Sequence, residues 1–427
     1  MALTIISVLA SALFLLGTPI VLVMAVWVAA TSYWVVDFPL ANMGLSALDS
    51  LKSFAFLAVP LFIATGDFLT AGGMSQRLIG LSKSLVAYLP GRTAATTVLA
   101  SGIFSAVSGS NAATAATMGQ LIGPEMRRLG ISPGLAGAIV AAGGTLGVII
   151  PPSTIFIIYG ITMGVSTVDL NLGGVLTGIV MMLFLIATAA YLTRREEPAH
   201  RGHGDFLRTV ARETAGAYLG LSAIVILFFG LYFGWFSSTE AAGVATIYCL
   251  LAGLLVTRKI TFRSVPQVLQ ASAAITGIIA PMVAFSLQFQ QILSVMDIPA
   301  AIQEWLMQIG NAYGHFVTVA AMMGLILFAG CITESVAVVL ILGPVLAPVA
   351  AALNIDPVHW GIIFTFGTSI GFVTPPYGLN LFVTCAVMQI PYGQLVRAIM
   401  VFIIPLLVSW VVVAAVPWLS LALVPVR

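Results

Sequence analysis

The chain has 427 residues, of which 60% are hydrophobic and only 7% are Asp, Glu, Lys or Arg, and its formal net charge is +2. Soluble domains average roughly 25% charged residues, so this composition excludes soluble enzymes, nucleic-acid-binding proteins and disordered scaffolds. Apolar runs of about 20 residues instead predict an all-α polytopic membrane protein.

The positions of the charged residues predict how the chain crosses the membrane. Fourteen of the 16 Lys and Arg residues fall into five clusters, which alternate along the chain with acidic or neutral segments. Because Lys and Arg collect on the cytoplasmic side, we expect a cytoplasmic N-terminus and a periplasmic C-terminus. The first apolar stretch, about 3–30, lacks a basic start and is too long for a signal peptide, so we expect it to be the first span.

The first half is predicted to begin with N-terminal scaffold helices over residues 1–92, followed by the first repeat of a transport domain over residues 93–160. About 34 mostly small or apolar residues separate Arg92 from Arg127. Both arginines belong on the cytoplasmic side, and two full spans need about 40 residues. We therefore predict a re-entrant helical hairpin over about 93–128 and an interrupted helix over about 132–160.

The second half is predicted to mirror this order. Residues 161–311 should form scaffold helices with a cytoplasmic linker at 193–214, which is rich in charges. Glu304 and Asp356 both belong outside, so the apolar stretch between them predicts a second hairpin over about 312–353 that enters from the opposite face. A second interrupted helix over about 357–388 completes the repeat at 312–388, and residues 389–427 form a C-terminal scaffold helix.

The two repeats share the spacing of their Gly and Pro residues. Five landmarks recur at a constant offset of 224 residues, namely Pro133, Gly137, Gly143, Gly147 and Pro151-Pro152 with Pro357, Gly361, Gly367, Gly371 and Pro375-Pro376. Each proline pair removes two amide donors and clashes with the preceding turn, so both helices should unwind near mid-membrane. Inverted repeats with interrupted helices are typical of secondary transporters.

Each interruption is expected to face a hairpin tip that is rich in small polar residues. Carbonyl oxygens freed at the interruption, together with hydroxyl groups, suit Na⁺, and the amides that start the next half-helix suit an anion. Candidates for holding an anionic substrate are Asn111, Ser153, Thr154, Tyr377, Gly378 and Asn380. Two other interpretations stay open, because small residues also serve close helix packing, and Ser153 or Asn380 can simply satisfy broken-helix backbone.

Four motifs occur in the order SAVSGSNAATAATMG, GGTLGVIIPPS, GCITES and IGFVTPPYGLNLF. On these motifs the chain resembles, over essentially its whole length, the large permease subunit of a tripartite ATP-independent periplasmic (TRAP) transporter. The resemblance implies a bacterial inner-membrane protein whose transport domain moves as an elevator against a scaffold. It also implies uptake of a small organic anion, a carboxylate or sulfonate, driven by a Na⁺ gradient and without a cofactor.

The resemblance implies partners and ligands as well. The partners would be a small membrane subunit of four helices and a soluble periplasmic substrate-binding protein. One Na⁺ site would use Ser105, Ser108, Gly147, Ile150 and Pro152, and a pseudo-symmetric site would use Gly330, Thr333, Gly371, Thr374 and Tyr377. Ser110 and Glu334 would organise the hairpin tips or couple the cation. Glu334 departs from the aspartate common in the family, and a plain capping role is its alternative.

Functions of other classes are weaker. A self-sufficient Na⁺-coupled organic-anion symporter stays open, because partner surfaces have no recognisable motif. An intramembrane serine hydrolase would need a base for Ser108 or Ser110, and the only candidates are His315 and His359, near the outer membrane boundary. An ATP-driven pump is excluded, because no lysine follows a glycine as a Walker A motif requires. The three cysteines lack the spacing of a zinc or disulfide framework.

Overall fold

The computed structural model describes residues 2–16, 18–39, 41–52, 54–198 and 206–425. Every regular element within these ranges is helical, which confirms the expected all-helical class. The first half contains α1 (Ala2–Leu15), α2 (Ile20–Thr31), α3 (Ala41–Lys52), α4 (Ala58–Ala71), α5 (Met74–Leu85), α6 (Arg92–Ser108), α7 (Asn111–Leu121), α8 (Gly123–Arg128), α9 (Pro133–Gly144), α10 (Thr154–Met163) and α11 (Thr167–Leu192). The second half contains α12 (Phe206–Gly216), α13 (Tyr218–Tyr232), α14 (Ser238–Leu251), α15 (Val265–Val295), α16 (Ile298–Tyr313), α17 (His315–Ile332), α18 (Ser335–Ala352), α19 (Pro357–Gly371), α20 (Leu379–Met388), α21 (Tyr392–Ala415) and α22 (Trp418–Leu421). Short π-helical segments at Ser32–Val36 and Ala252–Val256 and 3₁₀ segments at Phe54–Leu57 and Thr145–Val148 adjoin these helices.

Membrane crossing is supported by helix length and composition. Within the described ranges, six helices are long and apolar enough to span a bilayer, and a seventh span results if the bent pair α12 and α13 counts as one. The six are α11, α14 with its π-helical extension, α15, α17, α18 and α21. Helices α10 and α20 have only 10 residues each, about 15 Å, so neither can cross a core of about 30 Å alone. These two short helices follow the proline pairs, where interrupted spans were expected.

The first predicted hairpin corresponds to α6 and α7. A turn at Gly109 and Ser110, here called tip 1, joins the two helices. Helix α7 has 11 residues and is about 17 Å long, roughly half the hydrocarbon thickness. This length fits an arm that turns back inside the membrane.

The second predicted hairpin corresponds to α17 and α18, which are joined at Thr333 and Glu334, here called tip 2. Each arm has 18 residues and is about 27 Å long. By length and composition each arm qualifies as a full span. The re-entrant character of this hairpin therefore stays a prediction, as does the division of the chain into scaffold and transport domains.

Both interrupted helices begin with the same local chemistry. Ser132 accepts a hydrogen bond from the Leu135 amide before α9, and Asp356 accepts two before α19, from the amides of Val358 and His359. A proline occupies the first helical position in each case. Such a cap followed by proline is a strong helix start, because the cap satisfies free amides and proline has no amide to lose.

The interruptions fall at the proline pairs. The 3₁₀ segment Thr145–Val148 ends α9, and residues 149–153, here called break 1, precede α10. Residues 372–378, here called break 2, separate α19 from α20. Both proline–proline peptide bonds are cis.

The helices with interruptions lie at the centre of the molecule. Every residue of α19 from His359 to Gly371 is buried, and so is every residue of α9 from Ala136 to Gly144. By contrast, only 22% of the most apolar window of α15 is buried. An apolar helix with this exposure is suited to face lipid, so the central polar residues are enclosed by a layer of outer helices.

The charged segment predicted as a linker is partly helical. Residues 199–205 of the predicted linker lie outside the described ranges, and α12 occupies its C-terminal part. Helix α12 is amphipathic and meets α13 at an angle of 74°. The Phe206 ring lies 5.2 Å from the Tyr88 ring, so an apolar face of α12 packs on the preceding half of the chain.

Glu197, which follows α11, forms hydrogen bonds with the start of α6. Its carboxylate accepts hydrogen bonds from Arg92 Nε at 2.6 Å and from the Thr93 amide at 2.8 Å. Its backbone carbonyl accepts from the Gly91 amide at 2.7 Å. A buried carboxylate at a helix N-terminus satisfies free amides and is favoured by the helix dipole.

We expect Glu197→Leu to lower the free energy of unfolding by roughly 2 kcal/mol, because the Thr93 amide and Arg92 lose a charged acceptor. Thermal unfolding of the detergent-solubilised chain measures the change. Glu196→Leu, at the exposed neighbouring position, is the control and should leave the transition unchanged. Equal transitions for the two variants would show that the Glu197 contacts add no stability.

Candidate functional site

Tip 1 is a tight turn whose backbone lies directly on break 1. Gly109 adopts a left-handed conformation with φ of +57°, and a methyl group added there would lie 2.7 Å from the Pro152 carbonyl oxygen. The Ser110 side chain accepts a hydrogen bond from the Ala113 amide and thereby caps α7. Glycine is required at position 109 both for its backbone angles and for this approach.

Gly147 also lies directly against the backbone of this turn. A methyl group at Gly147 would lie 2.5 Å from the Asn111 amide nitrogen and 2.5 Å from the Ser110 carbonyl oxygen. Thr154, just after break 1, donates a hydrogen bond to the Gly109 carbonyl at 2.9 Å. Tip 1 and the chain around break 1 therefore touch through backbone atoms at Gly109 and Gly147 and through the Thr154 hydroxyl.

Ser153 holds the backbone of break 1 in place. Its hydroxyl donates to the Val148 carbonyl at 2.7 Å and accepts from the Phe156 amide at 3.2 Å. The Ser153 amide donates to Asn171 Oδ1 at 3.0 Å. The hydroxyl of Ser153 is therefore engaged within the chain, as the backbone-satisfying interpretation expected, and Asn171 of α11 is a supporting residue that sequence reasoning missed.

Oxygen atoms suited to a small cation gather near break 1. Within the described ranges, no donor reaches the carbonyl oxygens of Ile150, Pro151 or Pro152. Three buried hydroxyls form a cluster in the adjacent hairpin. They belong to Ser105, Ser108 and Thr114, and the Oγ atoms of Ser108 and Ser105 lie 3.1 Å and 3.4 Å from Thr114 Oγ1. Thr114 joins the expected ligand pair, although it was not predicted as a ligand.

The side chain of Ile150 packs between two helices. A methyl group at Gly102 of α6 would lie 3.0 Å from Ile150 Cδ1, and one at Gly178 of α11 would lie 2.6 Å from Ile150 Cγ1. Ile150 thus fills the space between α6 and α11. Any role of Ile150 toward a cation would have to come from its backbone oxygen.

The second hairpin and its interrupted helix meet through two glycines, Gly330 of α17 and Gly371 of α19. A methyl group at Gly371 would lie 2.5 Å from Gly330 Cα. The Tyr377 amide donates to the Cys331 carbonyl at 3.2 Å, and Thr374 Oγ1 donates to the Ile370 carbonyl at 2.8 Å. Gly371 is the repeat mate of Gly147, so both interrupted helices carry a glycine where the hairpin backbone approaches most closely.

Thr333 and Glu334 lie at the turn but not in this contact. Thr333 lines an apolar cavity of about 640 Å³, which Trp27 and Phe289 also line. Glu334 is at the N-cap position of α18, yet its side chain makes no capping hydrogen bond. Both side chains are half-buried. In this conformation the Glu334 carboxylate does not cap the helix.

The two breaks differ in exposure. Residues 151–153 of break 1 are buried, whereas Pro376 and Tyr377 of break 2 are exposed. The Tyr377 ring lies 5.3 Å from Phe382, which stacks on Tyr392 at 4.9 Å. The Tyr392 hydroxyl donates to the Pro376 carbonyl at 2.5 Å, so this oxygen is already partnered.

The N-terminus of α20 continues from break 2. Gly378 adopts a left-handed conformation with φ of +54°. The backbone amide of Asn380 donates a hydrogen bond to the Phe372 carbonyl at 3.0 Å, which connects the two ends of break 2. Gly378 shapes this turn, and the Asn380 side chain points into the interior, where it is fully buried.

The two repeats meet at a polar contact between Thr145 and Ser369, which are repeat mates at the 224-residue offset. Ser369 Oγ donates to the Thr145 carbonyl at 2.5 Å and lies 3.2 Å from Asn111 Nδ2. Asn380 Nδ2 donates to the Ala141 carbonyl at 3.3 Å. The repeat offset could have identified the pairing of Thr145 with Ser369, which sequence reasoning did not use.

The contacts of His359 and Ser108 bear on the hydrolase alternative. His359 Nδ1 lies 3.0 Å from Ser420 Oγ, and the Ser108 hydroxyl contacts Thr114. In the part of the chain that the structure describes, no histidine hydrogen-bonds to Ser108 or Ser110. Within the same ranges there is no group of three or more His, Cys, Asp or Glu residues that could hold a metal ion.

Comparison with known proteins gives consistent results. A family model for the DctM component of tripartite ATP-independent periplasmic transporters matches residues 7–419. The C4-dicarboxylate TRAP transporter large permease protein of Pseudomonas aeruginosa is 35% identical, with 90% of this chain and 89% of that protein covered. The sialic acid TRAP transporter large permease protein of Vibrio cholerae is 32% identical, with 88% and 87% covered.

A third relative, the isethionate TRAP transporter permease protein of Oleidesulfovibrio alaskensis, is 32% identical, with 95% of this chain and 64% of that protein covered. Among solved structures, the YdaH transporter of Alcanivorax borkumensis matches with a TM-score of 0.63 at 16% identity, with 90% of both chains covered. MtrF of Neisseria gonorrhoeae matches with a TM-score of 0.57 at 13% identity, with 88% and 83% covered. At these identities the structural likeness concerns the fold alone.

Proposed function

The chain belongs to the DctM component family of tripartite ATP-independent periplasmic transporters, and from this premise we propose that it is the large permease subunit of a secondary transporter that imports a small organic anion. The observation that carries the proposal is the pair of interrupted helices, each in backbone contact with a hairpin at a matched glycine, Gly147 or Gly371. Repeats inserted in opposite directions, with interrupted helices at matched positions, are the usual binding architecture of secondary transporters, and we propose this insertion for the chain.

Na⁺ is the proposed coupling ion. The groups near break 1 are neutral hydroxyls and backbone carbonyls, and a small hard cation prefers such oxygen ligands. Freed carbonyls at Ile150 to Pro152 with Ser105 and Ser108 would form one site. Gly330 and Gly371, with Thr374 and Tyr377, would form the second. Thr114 is added to the first set because its hydroxyl contacts both serines.

The substrate is proposed to be a carboxylate or sulfonate. The three relatives described above are named for organic acids. No Lys or Arg lies in the tips or breaks, so an anion would be held by amides and hydroxyls at the half-helix starts, where the helix dipole is positive. Thr154 begins α10 next to tip 1, and Gly378 is the last residue of break 2 before α20.

Transport is proposed to proceed by an elevator movement in the bacterial inner membrane, with the N-terminus in the cytoplasm and the C-terminus in the periplasm. The two hairpins and the two interrupted helices would move together against the outer helices. A small four-helix membrane subunit and a soluble periplasmic binding protein are the proposed partners, in keeping with family membership. A self-sufficient symporter is the competing proposal.

Reconstitution tests these proposals. The full chain is placed in proteoliposomes alone, with its small subunit, and with the small subunit plus the binding protein, and uptake of radiolabelled succinate, isethionate and sialic acid is measured. We expect uptake of one of these acids only when all three components are present. Uptake by the chain alone would favour the self-sufficient symporter.

We expect Ser108→Ala to raise the Na⁺ concentration that gives half-maximal uptake by roughly fivefold, because losing one neutral oxygen ligand costs about 1 kcal/mol. Uptake in the three-component proteoliposomes is measured across a Na⁺ titration. Ser222→Ala, in α13, is the control, because that hydroxyl donates to the Tyr218 carbonyl of its own helix and is in neither proposed Na⁺ site. An unchanged Na⁺ requirement in Ser108→Ala would remove this side chain from the ligand set.

A further inference from the structure

The Asn380 side chain leaves one oxygen unused in the interior. Its Nδ2 donates to the Ala141 carbonyl, and a backbone carbonyl can only accept, so the orientation of the amide is determined. Asn380 is fully buried, and its Oδ1 has no hydrogen-bond partner among the described residues. A buried acceptor of this kind is costly unless a donor or cation satisfies it.

Asn111 is oriented in the same way through an intermediate hydroxyl. The single proton of Ser369 Oγ goes to the Thr145 carbonyl, so Ser369 must accept from Asn111 Nδ2. Asn111 is 2% exposed, and its Oδ1 likewise lacks a partner in the described part of the chain. The two asparagines therefore present acceptor oxygens, while both of their donor groups are engaged.

Both asparagines lie beside the end of α9. A methyl group added at Gly144 would lie 2.8 Å from Asn380 Nδ2 and 3.2 Å from the Asn111 carbonyl oxygen. Ala141 and Thr145, whose carbonyls anchor the two amides, are on the same stretch of helix. The start of α7, the end of α9 and the start of α20 thus converge here with amide and carbonyl oxygens.

We propose that Asn111 and Asn380 hold a Na⁺ ion in addition to the ions at the two breaks. Neutral amide oxygens suit this cation, and two acceptor oxygens without partners would repel an anionic substrate. The ion would link the start of α7 in the first repeat to the start of α20 in the second. The assignment rests on the proposed Na⁺ coupling, and it replaces the expected substrate role of these two residues.

Equilibrium binding of ²²Na⁺ to the purified full-length chain, with any subunits that remain bound, tests the site. Asn380→Leu and Asn111→Leu preserve side-chain size but remove the amide, and each should bind one ion fewer than the unaltered chain. Ser108→Ala should affect a different ion. The double variant Ser108→Ala/Asn380→Leu should therefore show both the weakened Na⁺ binding of Ser108→Ala and the loss of one ion expected for Asn380→Leu.

Thr384→Val is the matched control. The Thr384 hydroxyl is also buried without a partner in the described residues. The Thr384 methyl group lies against Gly137, about 10 Å along α9 from Gly144 at ~1.5 Å per residue. This variant should retain the full number of ions. A loss equal to that of Asn380→Leu would overturn the assignment, because it would reflect general damage to the core.

Asn111→Asp separates a ligand role from a structural one. The Ser369 hydroxyl can turn to donate to the new carboxylate, and a charged oxygen should raise Na⁺ affinity several-fold. Raised affinity supports the site even if the leucine variants do not fold, and unchanged or lowered affinity in Asn111→Asp would then overturn it. In folded leucine variants, an unchanged ion count and affinity would overturn the site and indicate that bound water satisfies the two oxygens. Absence of ²²Na⁺ binding to the unaltered chain would instead refute the proposed Na⁺ coupling itself.

Discussion

Replacing Gly147 or Gly371 with alanine is expected to reduce Na⁺-dependent uptake by roughly tenfold or more. At each position the added methyl group would lie 2.5 Å from hairpin backbone atoms, at Ser110 and Asn111 in one case and at Gly330 in the other. Backbone cannot rotate away as a flexible side chain can. Overpacking of this kind costs about 1–3 kcal/mol, and each 1.4 kcal/mol is a factor of about ten in an equilibrium.

Gly324→Ala, in the second hairpin, provides the control. Gly324 lies inside α17, and nothing lies within 4 Å of a methyl group added there. Alanine at an open helical position is neutral or slightly stabilising, so uptake should be unchanged. Initial uptake rates in proteoliposomes, normalised to the amount of folded chain, are compared. Normal uptake by both Gly147→Ala and Gly371→Ala would contradict the backbone contacts between the hairpins and the interrupted helices.

The double change Pro151→Ala/Pro152→Ala is expected to abolish uptake. Alanine restores two amide donors and favours helix, so the 3₁₀ segment after α9 would tend to run on into α10. A continuous helix would use the carbonyls of Ile150 to Pro152 for its own hydrogen bonds and remove them from the proposed cation site. The loss should therefore appear both in uptake and in ²²Na⁺ binding.

Two comparisons show whether the interruption itself matters. Pro152→Ala alone should have a smaller effect, because Pro151 still lacks an amide. Pro405→Ala changes a proline inside α21, a helix that stays continuous, and should leave uptake intact. Unimpaired transport by the double variant would count against a role for break 1.

Both helix interruptions could be predicted from the sequence because proline acts on its own backbone and the preceding turn. The same holds for the helix starts at Pro133 and Pro357, whose caps are adjacent in sequence. The glycines at positions 147 and 371 were identified by their shared offset. Local chemistry and internal repetition therefore predicted the framework of the candidate site.

The polar contacts of the site depend on distant parts of the chain. Ser153 was expected to bind substrate, yet Asn171, on a helix outside the repeat, holds its amide. The roles of Asn111 and Asn380 follow from the directions of their hydrogen bonds to Ser369 and Ala141. These directions are set by helix packing, which sequence spacing alone does not specify.

The difference between the two breaks is likewise a tertiary property. Both contain a proline pair at the same repeat position, but Tyr377 is 40% exposed whereas Pro152 is buried. Gly174 and Gly178 of α11 pack against residues 149–151 of break 1, whereas α21, the corresponding helix of the second half, contacts break 2 through the Tyr392 hydroxyl. The sequence motif is symmetric, whereas its surroundings are not.

Accumulation of labelled substrate under an imposed ion gradient is the most direct test of Na⁺-coupled import. Proteoliposomes that contain the chain and its small subunit, supplied with the binding protein, are diluted into Na⁺ or K⁺ medium. We predict that substrate accumulates above its external concentration only under an inward Na⁺ gradient, and that it drains when Na⁺ is equalised. The same accumulation in K⁺ medium without Na⁺ would contradict the account.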